Sequence, residues 1–343
     1  MNTNYENHFN NCTFLKQFLY PDVENILDNS QENHPLRTLI LSNTDNAVFV
    51  KTNTDICLKH IYSFNPDWLN DKRKIVLTEN DYKNISATLG EIRAYGELLW
   101  IWGDKVKALK EGSDFIIEDD NFDVHVEIHA PQHSPKGQPQ HLETLQSKNL
   151  IIEVSHTIPF GKPERNGIDN IQGEAVSNLA SIKGKEHQFS ESEISILWLD
   201  LQDMDVWPVG FGLEQCDPIG SFKESLTSGA LWNAIYAKKN DYIYESFSFH
   251  GKKSTVYQME FDGRFQQKTK IDFIVVSFPS DQIVFQNHNS KKTIPNEFVK
   301  KLYHLFHFNL SLSWLDWPNT GSLEKKVEIA REAIKKYKTV FKN

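Results

Sequence analysis

The sequence predicts a mixed α/β protein in which residues 86–205 form a mixed sheet flanked by helices. Three observations predict this class. Residues 87–102 carry apolar side chains at helical spacing, residues 122–130 alternate strictly between apolar and polar, and residues 194–201 are almost entirely apolar. A strand that is apolar on both faces is typical of the buried middle of a sheet.

The chain is long enough for more than one domain. It has 343 residues, whereas one domain usually takes about 100–200. We expect an N-terminal α+β extension at 1–85 and a core at 86–205. A C-terminal α+β region at 206–343 either stands alone or belongs to the same domain. Apolar runs at 36–42 and 47–51, separated by a polar stretch, predict a β-hairpin in the extension.

The composition is that of an ordinary globular protein, with 39% hydrophobic and 24% charged residues. The net charge of -9 argues against a surface that is basic throughout, but it allows a local basic groove for nucleic acid. The three cysteines, Cys12, Cys57 and Cys216, form no CxxC pair, which indicates a reducing compartment. We expect a cytoplasmic protein without a membrane segment or a signal peptide.

The central elements follow in a definite order. The helix at 87–102 carries Glu91 beside its apolar stripe and ends at Gly103. A short strand at 113–118 and a turn lead into the alternating strand at 122–130.

The rest of the chain is assigned more coarsely. It is expected to contain loops at 131–149 and 156–170, strands at 150–155 and 194–201, and a helix at 171–189. Beyond residue 220 the patterns predict helices at 228–238, 297–308 and 322–341, and strands at 242–249, 254–262 and 271–285, the last split by a turn.

From residue 87 to 201, this order resembles the core of the PD-(D/E)XK nuclease superfamily, which has the restriction-endonuclease-like fold. That core is a helix bearing Glu, a β-meander bearing Asp and (Asp/Glu)-x-Lys, then a helix and a further strand. Glu91 matches the helical Glu, Asp114 the Asp, and Glu127 the second acidic residue. The resemblance covers about a third of the chain.

The resemblance implies an endonuclease that hydrolyses phosphodiester bonds in DNA or RNA, of the kind used in restriction or phage defence. Mg²⁺ or Mn²⁺ would be bound by Asp114, Glu127 and the carbonyl of Ile128. Such an ion neutralises phosphate charge and lowers the pKa of the attacking water, and Mg²⁺ needs few carboxylates because water and phosphate complete its shell. Nucleic acid is the expected partner. The oligomeric state stays open, although many nucleases of this kind form a homodimer to cut two strands.

The motif departs from the superfamily in two places. Ser113 replaces the Pro before the Asp, and His129 replaces the Lys. A histidine is mostly neutral at pH 7, so it replaces a lysine only in part. Within the superfamily the Lys can instead lie on the following helix. The candidates for its role are therefore His129, Lys183 and Gln188, followed by Lys185 and Gln132.

Three alternatives stay open. His125, Glu127 and His129 project to one side of a strand and could bind Zn²⁺, Mn²⁺ or Fe²⁺. The missing Lys also fits a nuclease-like protein that has lost activity and serves for binding or as a scaffold. The plainest alternative gives Asp114 a role in a turn and leaves Glu127 and His129 on a solvated strand face.

Overall fold

The computed structural model describes residues 5–9, 11–31, 34–130, 142–147, 150–155, 188–202, 209–222, 225–245, 255–259, 262–305, 310–316 and 321–340. The α-helices within them are α1 (Thr13–Leu19), α2 (Glu24–Asn29), α3 (Pro35–Leu41), α4 (Asp45–Phe64), α5 (Pro66–Thr78), α6 (Tyr82–Trp102), α7 (Phe211–Gln215), α8 (Ala230–Tyr236), α9 (Asn296–Leu302) and α10 (Leu323–Val340).

The strands are β1 (Val106–Ala108), β2 (Phe115–Asp119), β3 (Phe122–His129), β4 (Leu142–Ser147), β5 (Leu150–Ser155), β6 (Ile194–Asp200), β7 (Ile219–Phe222), β8 (Ser225–Ser228), β9 (Tyr242–Glu245), β10 (Thr255–Gln258), β11 (Phe273–Ser277), β12 (Gln282–Gln286) and β13 (Leu310–Trp314). The chain divides into two compact units. Unit 1 comprises residues 1–132, 185–212 and 270–320, and unit 2 comprises the remainder.

Unit 1 is built on a seven-stranded mixed sheet in the order β1-β2-β3-β6-β11-β12-β13. The first three strands form an antiparallel meander. Strands β3, β6 and β11 then run parallel to one another, β12 runs antiparallel to β11, and β13 runs parallel to β12. The prediction of a mixed α/β protein with a mixed sheet is therefore confirmed.

Helix α6 forms where the sequence predicts it, although it begins five positions earlier than the predicted start at residue 87. The Asp81 carboxylate caps its first turn by accepting a hydrogen bond from the Lys83 N–H at 2.9 Å. Gly103 ends the helix with a φ of +58°, a conformation that favours glycine. Local capping therefore sets both ends of the helix.

The predicted β-hairpin at 36–42 and 47–51 is wrong, because these residues belong to helices α3 and α4. Thr44 caps α4, its hydroxyl accepting from the Ala47 N–H at 3.2 Å. The buried positions of α4 recur at helical spacing over about four turns, a period that short windows of sequence conceal. These positions include Val50, Thr54, Cys57, Leu58 and Ile61. The charged stretch at 66–84 is also largely helical, since it forms α5 and the start of α6.

Helix α6 packs directly on the sheet and on α4. A Cβ placed on Gly90 would lie 2.8 Å from the Ala130 Cβ and 3.2 Å from the Asp200 Cβ, so the helix passes close to the carboxyl ends of β3 and β6. A Cβ on Gly96 would lie 2.4 Å from the Cys57 Cα. These two glycines set the distance between the layers of unit 1, and one continuous apolar core fills the space around them.

The described part of unit 2 consists of antiparallel strand pairs and helices, with β4 paired to β5, β7 to β8 and β9 to β10. Strand β4 (Leu142–Ser147) lies in a segment predicted to be a loop. Its two leucines are three positions apart and do not show the period of two that indicates a strand. Helix α10 is fixed to β9, since the Tyr244 hydroxyl donates to the Ile334 carbonyl at 2.6 Å. Arg331 also forms a two-point ion pair with Asp241.

Most of the helix predicted at 171–189 lies outside the described residues. In the described ranges, no helix combines the length and the apolar character that crossing a bilayer requires.

Candidate active site

Asp114 lies immediately before β2, where the regular pairing with β3 stops. The last paired residues are Phe115 and Val126, so Asp114 and Glu127 occupy the next positions on the two strands. The Asp114 carboxylate accepts a hydrogen bond from the Ile128 N–H at 2.7 Å. On the other side, the Asp114 carbonyl accepts from the Leu109 N–H at 3.0 Å. The side chain of Asp114 thus takes the place of a backbone partner and lies across from Glu127.

Glu127 is a buried carboxylate, only 1% exposed, on strand β3. Its neighbours Val126 and Ile128 face the apolar core, so strict alternation turns Glu127 to the opposite face of the strand. The amide nitrogen of Gln188, once its orientation is assigned from the hydrogen bonds, donates to both Glu127 oxygens, to one of them at 2.8 Å. The structure therefore brings Gln188 and Glu127 together.

The other candidates occupy different surroundings. Glu91 forms an ion pair with Lys72 of α5, and the two side chains are 23% and 20% exposed. His129 ends β3, is partly exposed, and shares the face of Glu127 by alternation. Lys183, Lys185 and Gln132 lie outside the described residues.

Both ring nitrogens of His125 contact protein groups. Its Nδ1 lies 2.9 Å from the Ser113 hydroxyl, and its Nε2 lies 2.9 Å from a Glu193 carboxylate oxygen. A metal ion on His125 would have to displace one of these partners, so the geometry favours a structural role over a place in a His/Glu metal set. Ser113 is 2% exposed, which keeps its hydroxyl away from any substrate.

The arrangement of Asp114 and Glu127 suits a hard cation. Two carboxylates on adjacent strands supply the oxygen ligands that Mg²⁺ prefers, and this ion keeps several waters, so a carboxylate pair is sufficient. A closed zinc site requires a larger set of side chains. In the described portion of the chain, no group of three or more His, Cys, Asp or Glu residues is arranged to hold a metal ion.

Sequence reasoning missed a buried polar network at the carboxyl ends of β6 and β11. The Arg93 guanidinium of α6 makes two hydrogen bonds to the Asp200 carboxylate, at 2.7 and 3.0 Å, and both side chains are fully buried. The Gln202 amide nitrogen donates to the Ser277 hydroxyl at 2.8 Å. These contacts hold helix α6 on the parallel strands β6 and β11.

The same network extends to helix α4. The Glu97 carboxylate, 1% exposed, accepts from the Asn53 amide at 3.3 Å and from the Gln282 amide at 3.2 Å. Asn53 also donates to the Gln202 side-chain oxygen at 3.2 Å. The pKa of the Cys57 thiol lies well above its usual value, mainly because the thiol is buried and also because the Glu97 carboxylate is near. Buried polar groups of this kind stabilise a fold only when they are fully hydrogen-bonded.

One signal could have revealed part of the network. Arg93 and Glu97 are spaced by four on a helix that is otherwise largely apolar, and charges in such a helix are expected to be buried and paired. Their partners, however, are distant in sequence, since Arg93 and Asp200 are 107 positions apart.

Comparison with known proteins gives no relative. No protein-family model matches the chain, and no significant match is found among curated proteins or among solved structures.

Proposed function

We propose that the protein is a divalent-metal-dependent nuclease, with Asp114 and Glu127 as the residues that bind Mg²⁺ or Mn²⁺. One observation carries this proposal. Asp114 and Glu127 face each other on neighbouring strands, one position beyond the last β2–β3 pair, and the Asp114 carboxylate accepts a hydrogen bond from the Ile128 N–H. Nucleic acid is the substrate class that the proposal implies, and restriction or phage defence is the setting that the resemblance suggests.

The order of elements supports the proposal. Helix α6, which bears Glu91, precedes the antiparallel meander β1-β2-β3, and β6 then lies parallel to β3. These elements match the helix, meander and further strand of the order on which the resemblance to PD-(D/E)XK nucleases rests, and the helix predicted between meander and strand lies mostly outside the described residues. A homodimer, which would cut two strands, is part of the same proposal.

Each residue has a definite task in this reaction. A bound Mg²⁺ ion would neutralise the phosphate oxygens and activate water. Asp114 and Glu127 hold the ion, and the Ile128 carbonyl is a candidate for a third oxygen ligand. Gln188 donates to the Glu127 carboxylate, and half a turn of its amide would present its oxygen to a bound cation instead. His129, on the face of Glu127, is the candidate for orienting water, a role it shares with Lys183.

The test is cleavage of plasmid DNA, single-stranded DNA and structured RNA by the purified full chain with Mg²⁺ or Mn²⁺. The informative variants are Asp114→Asn, which keeps an acceptor for the Ile128 N–H, and Glu127→Gln. We expect EDTA to abolish cleavage and each variant to lower the rate more than about 100-fold, because the ion contributes several kcal/mol to the transition state.

Asp123→Asn is the matched control, since Asp123 is an exposed acidic residue of the same strand. It should cleave like the wild type. The proposal is wrong if the wild-type chain cleaves none of these substrates, or if Asp114→Asn and Glu127→Gln cleave as fast as Asp123→Asn.

A further inference from the structure

We infer that His125 is a positioning residue, which, oriented by Glu193, holds Ser113 and thereby fixes the backbone of Asp114, whose carboxylate binds the metal in the proposed function. The inference rests on the function proposed above, and it assigns roles to His125 and Glu193, which the nuclease motif does not contain, and to Ser113, which stands in place of its Pro. It begins from the two contacts of the His125 ring, each 2.9 Å long.

These contacts determine the orientation of the imidazole. Nε2 contacts Glu193, which lies just before β6 and is 41% exposed, and Nδ1 consequently points at the buried hydroxyl of Ser113. The Ser113 hydroxyl also lies 3.3 Å from the Phe115 carbonyl, to which it donates. Two neighbouring strands, β3 and the start of β6, therefore hold the residue directly before Asp114.

Asp114 needs such a support because its own side chain serves two purposes. On the β3 side the paired backbone ends at Phe115, and beyond it the Asp114 carboxylate accepts a hydrogen bond from the Ile128 N–H. A cation bound by the same carboxylate would compete with that bond. The Ser113–His125 contact holds the backbone in place while the carboxylate adjusts to the ion.

The two ring nitrogens can be tested separately. An asparagine amide at position 125 places a polar atom near the position of Nδ1, so His125→Asn keeps a hydrogen-bond partner for Ser113. A glutamine amide reaches the position of Nε2, so His125→Gln keeps the contact with Glu193 and loses the one with Ser113. If the inference holds, the Gln variant is more impaired than the Asn variant.

The experiment measures cleavage as a function of Mg²⁺ concentration, together with the melting temperature in EDTA. We expect His125→Gln and Ser113→Ala to raise the Mg²⁺ concentration for half-maximal rate about fivefold, the effect of one lost hydrogen bond. The rate at saturating Mg²⁺ and the melting temperature should change little. The double variant should show no further rise, because both changes remove the same contact. Glu193→Gln should raise the Mg²⁺ concentration for half-maximal rate by a smaller factor, and because Glu193 is half-exposed the change should leave folding intact.

His304→Gln is the matched control, since His304 is exposed and contacts the ring of Tyr303. If the wild type cleaves and all the variants need the same Mg²⁺ concentration as His304→Gln, the positioning role is refuted while the nuclease function stands. If the His125 and Ser113 variants have a lower melting temperature but an unchanged Mg²⁺ requirement, His125 has only a structural role and the inference is also refuted. Absence of cleavage by the wild type would refute both proposals.

Discussion

The Arg93 guanidinium and the Asp200 carboxylate form a two-point ion pair in which both side chains are completely buried. This pair joins α6 to the end of β6, next to the point where Gly90 allows the helix to approach the sheet. A buried ion pair contributes little net stability by itself, yet removing one partner leaves an uncompensated charge in the interior. Its main effect is therefore to specify how the helix lies on the sheet.

Replacement of Arg93 by Met should strongly destabilise the protein. We expect the free energy of unfolding to fall by about 3–5 kcal/mol, because the Asp200 carboxylate loses its buried partner. Urea unfolding followed by tryptophan fluorescence measures this change. Lys74→Ala is the control, since Lys74 and its partner Asp71 are 74% and 76% exposed, and it should change stability little. Equal effects of the two variants would contradict the structural role of the Arg93 pair.

Replacement of Gly96 by Ala should also destabilise the protein, for a steric reason. The added Cβ would lie 2.4 Å from the Cys57 Cα and 2.7 Å from the Cys57 carbonyl oxygen, so α4 and α6 must separate. Overpacking of this kind typically costs about 1–3 kcal/mol. The same urea titration tests it, with the exposed Lys83→Ala in the same helix as control. Because the clash involves backbone atoms of Cys57, the double variant Gly96→Ala/Cys57→Gly should be no more stable than Gly96→Ala alone. A double variant as stable as the wild type would show that the backbones of α4 and α6 do not approach this closely.

The cysteines should be unreactive in the folded protein. Cys12, Cys57 and Cys216 are all buried, and burial raises the pKa of the Cys12 thiol to about 11. Since the thiolate is the reactive form, a disulfide reagent such as DTNB should modify none of them rapidly at pH 8. All three should react after denaturation in guanidinium. Rapid modification of the native protein would mean that at least one thiol is accessible.

Asp119 should contribute stability that is lost in acid. Burial alone would raise the pKa of Asp119, but hydrogen bonds from Lys301 and Lys105 hold the pKa below its ordinary value. The carboxylate therefore stabilises the fold above the unfolded pKa of about 3.9, and this contribution disappears as the pH falls through the folded pKa. Asp119→Asn should be less stable than the wild type at pH 7. The difference in the free energy of unfolding between the two proteins should shrink as the pH approaches 3, and urea titrations at several pH values measure it. A difference that stays constant with pH would contradict this mechanism.

Local patterns predicted the elements that carry the candidate site. Helix α6 and strands β2, β3 and β6 form within a few residues of the predicted ranges, because their periodicity and their end signals lie in short windows of sequence. The same windows were misleading for α3 and α4. There, short apolar runs fitted a strand as well as a helix, and only packing over about four turns of α4 decides between them.

The residues of the candidate site likewise comprise some that the sequence indicates and others that only the structure reveals. Asp114 and Glu127 could be selected from the sequence because a strand–turn–strand unit determines their pairing locally. The partner of Glu91, Lys72, and the contacts of His125 with Ser113 and Glu193 could not be selected, because they depend on which strands and helices become neighbours.

The sequence by itself determined the α/β class, the order of the central elements and the choice of Asp114 and Glu127 as candidates, since each depends on patterns of residues close along the chain. The tertiary structure decided that Glu127 is buried against Gln188 and that Arg93 meets Asp200. Burial and charge pairing depend on segments that are far apart in sequence, and only the complete packing of the sheet and its helices brings them together.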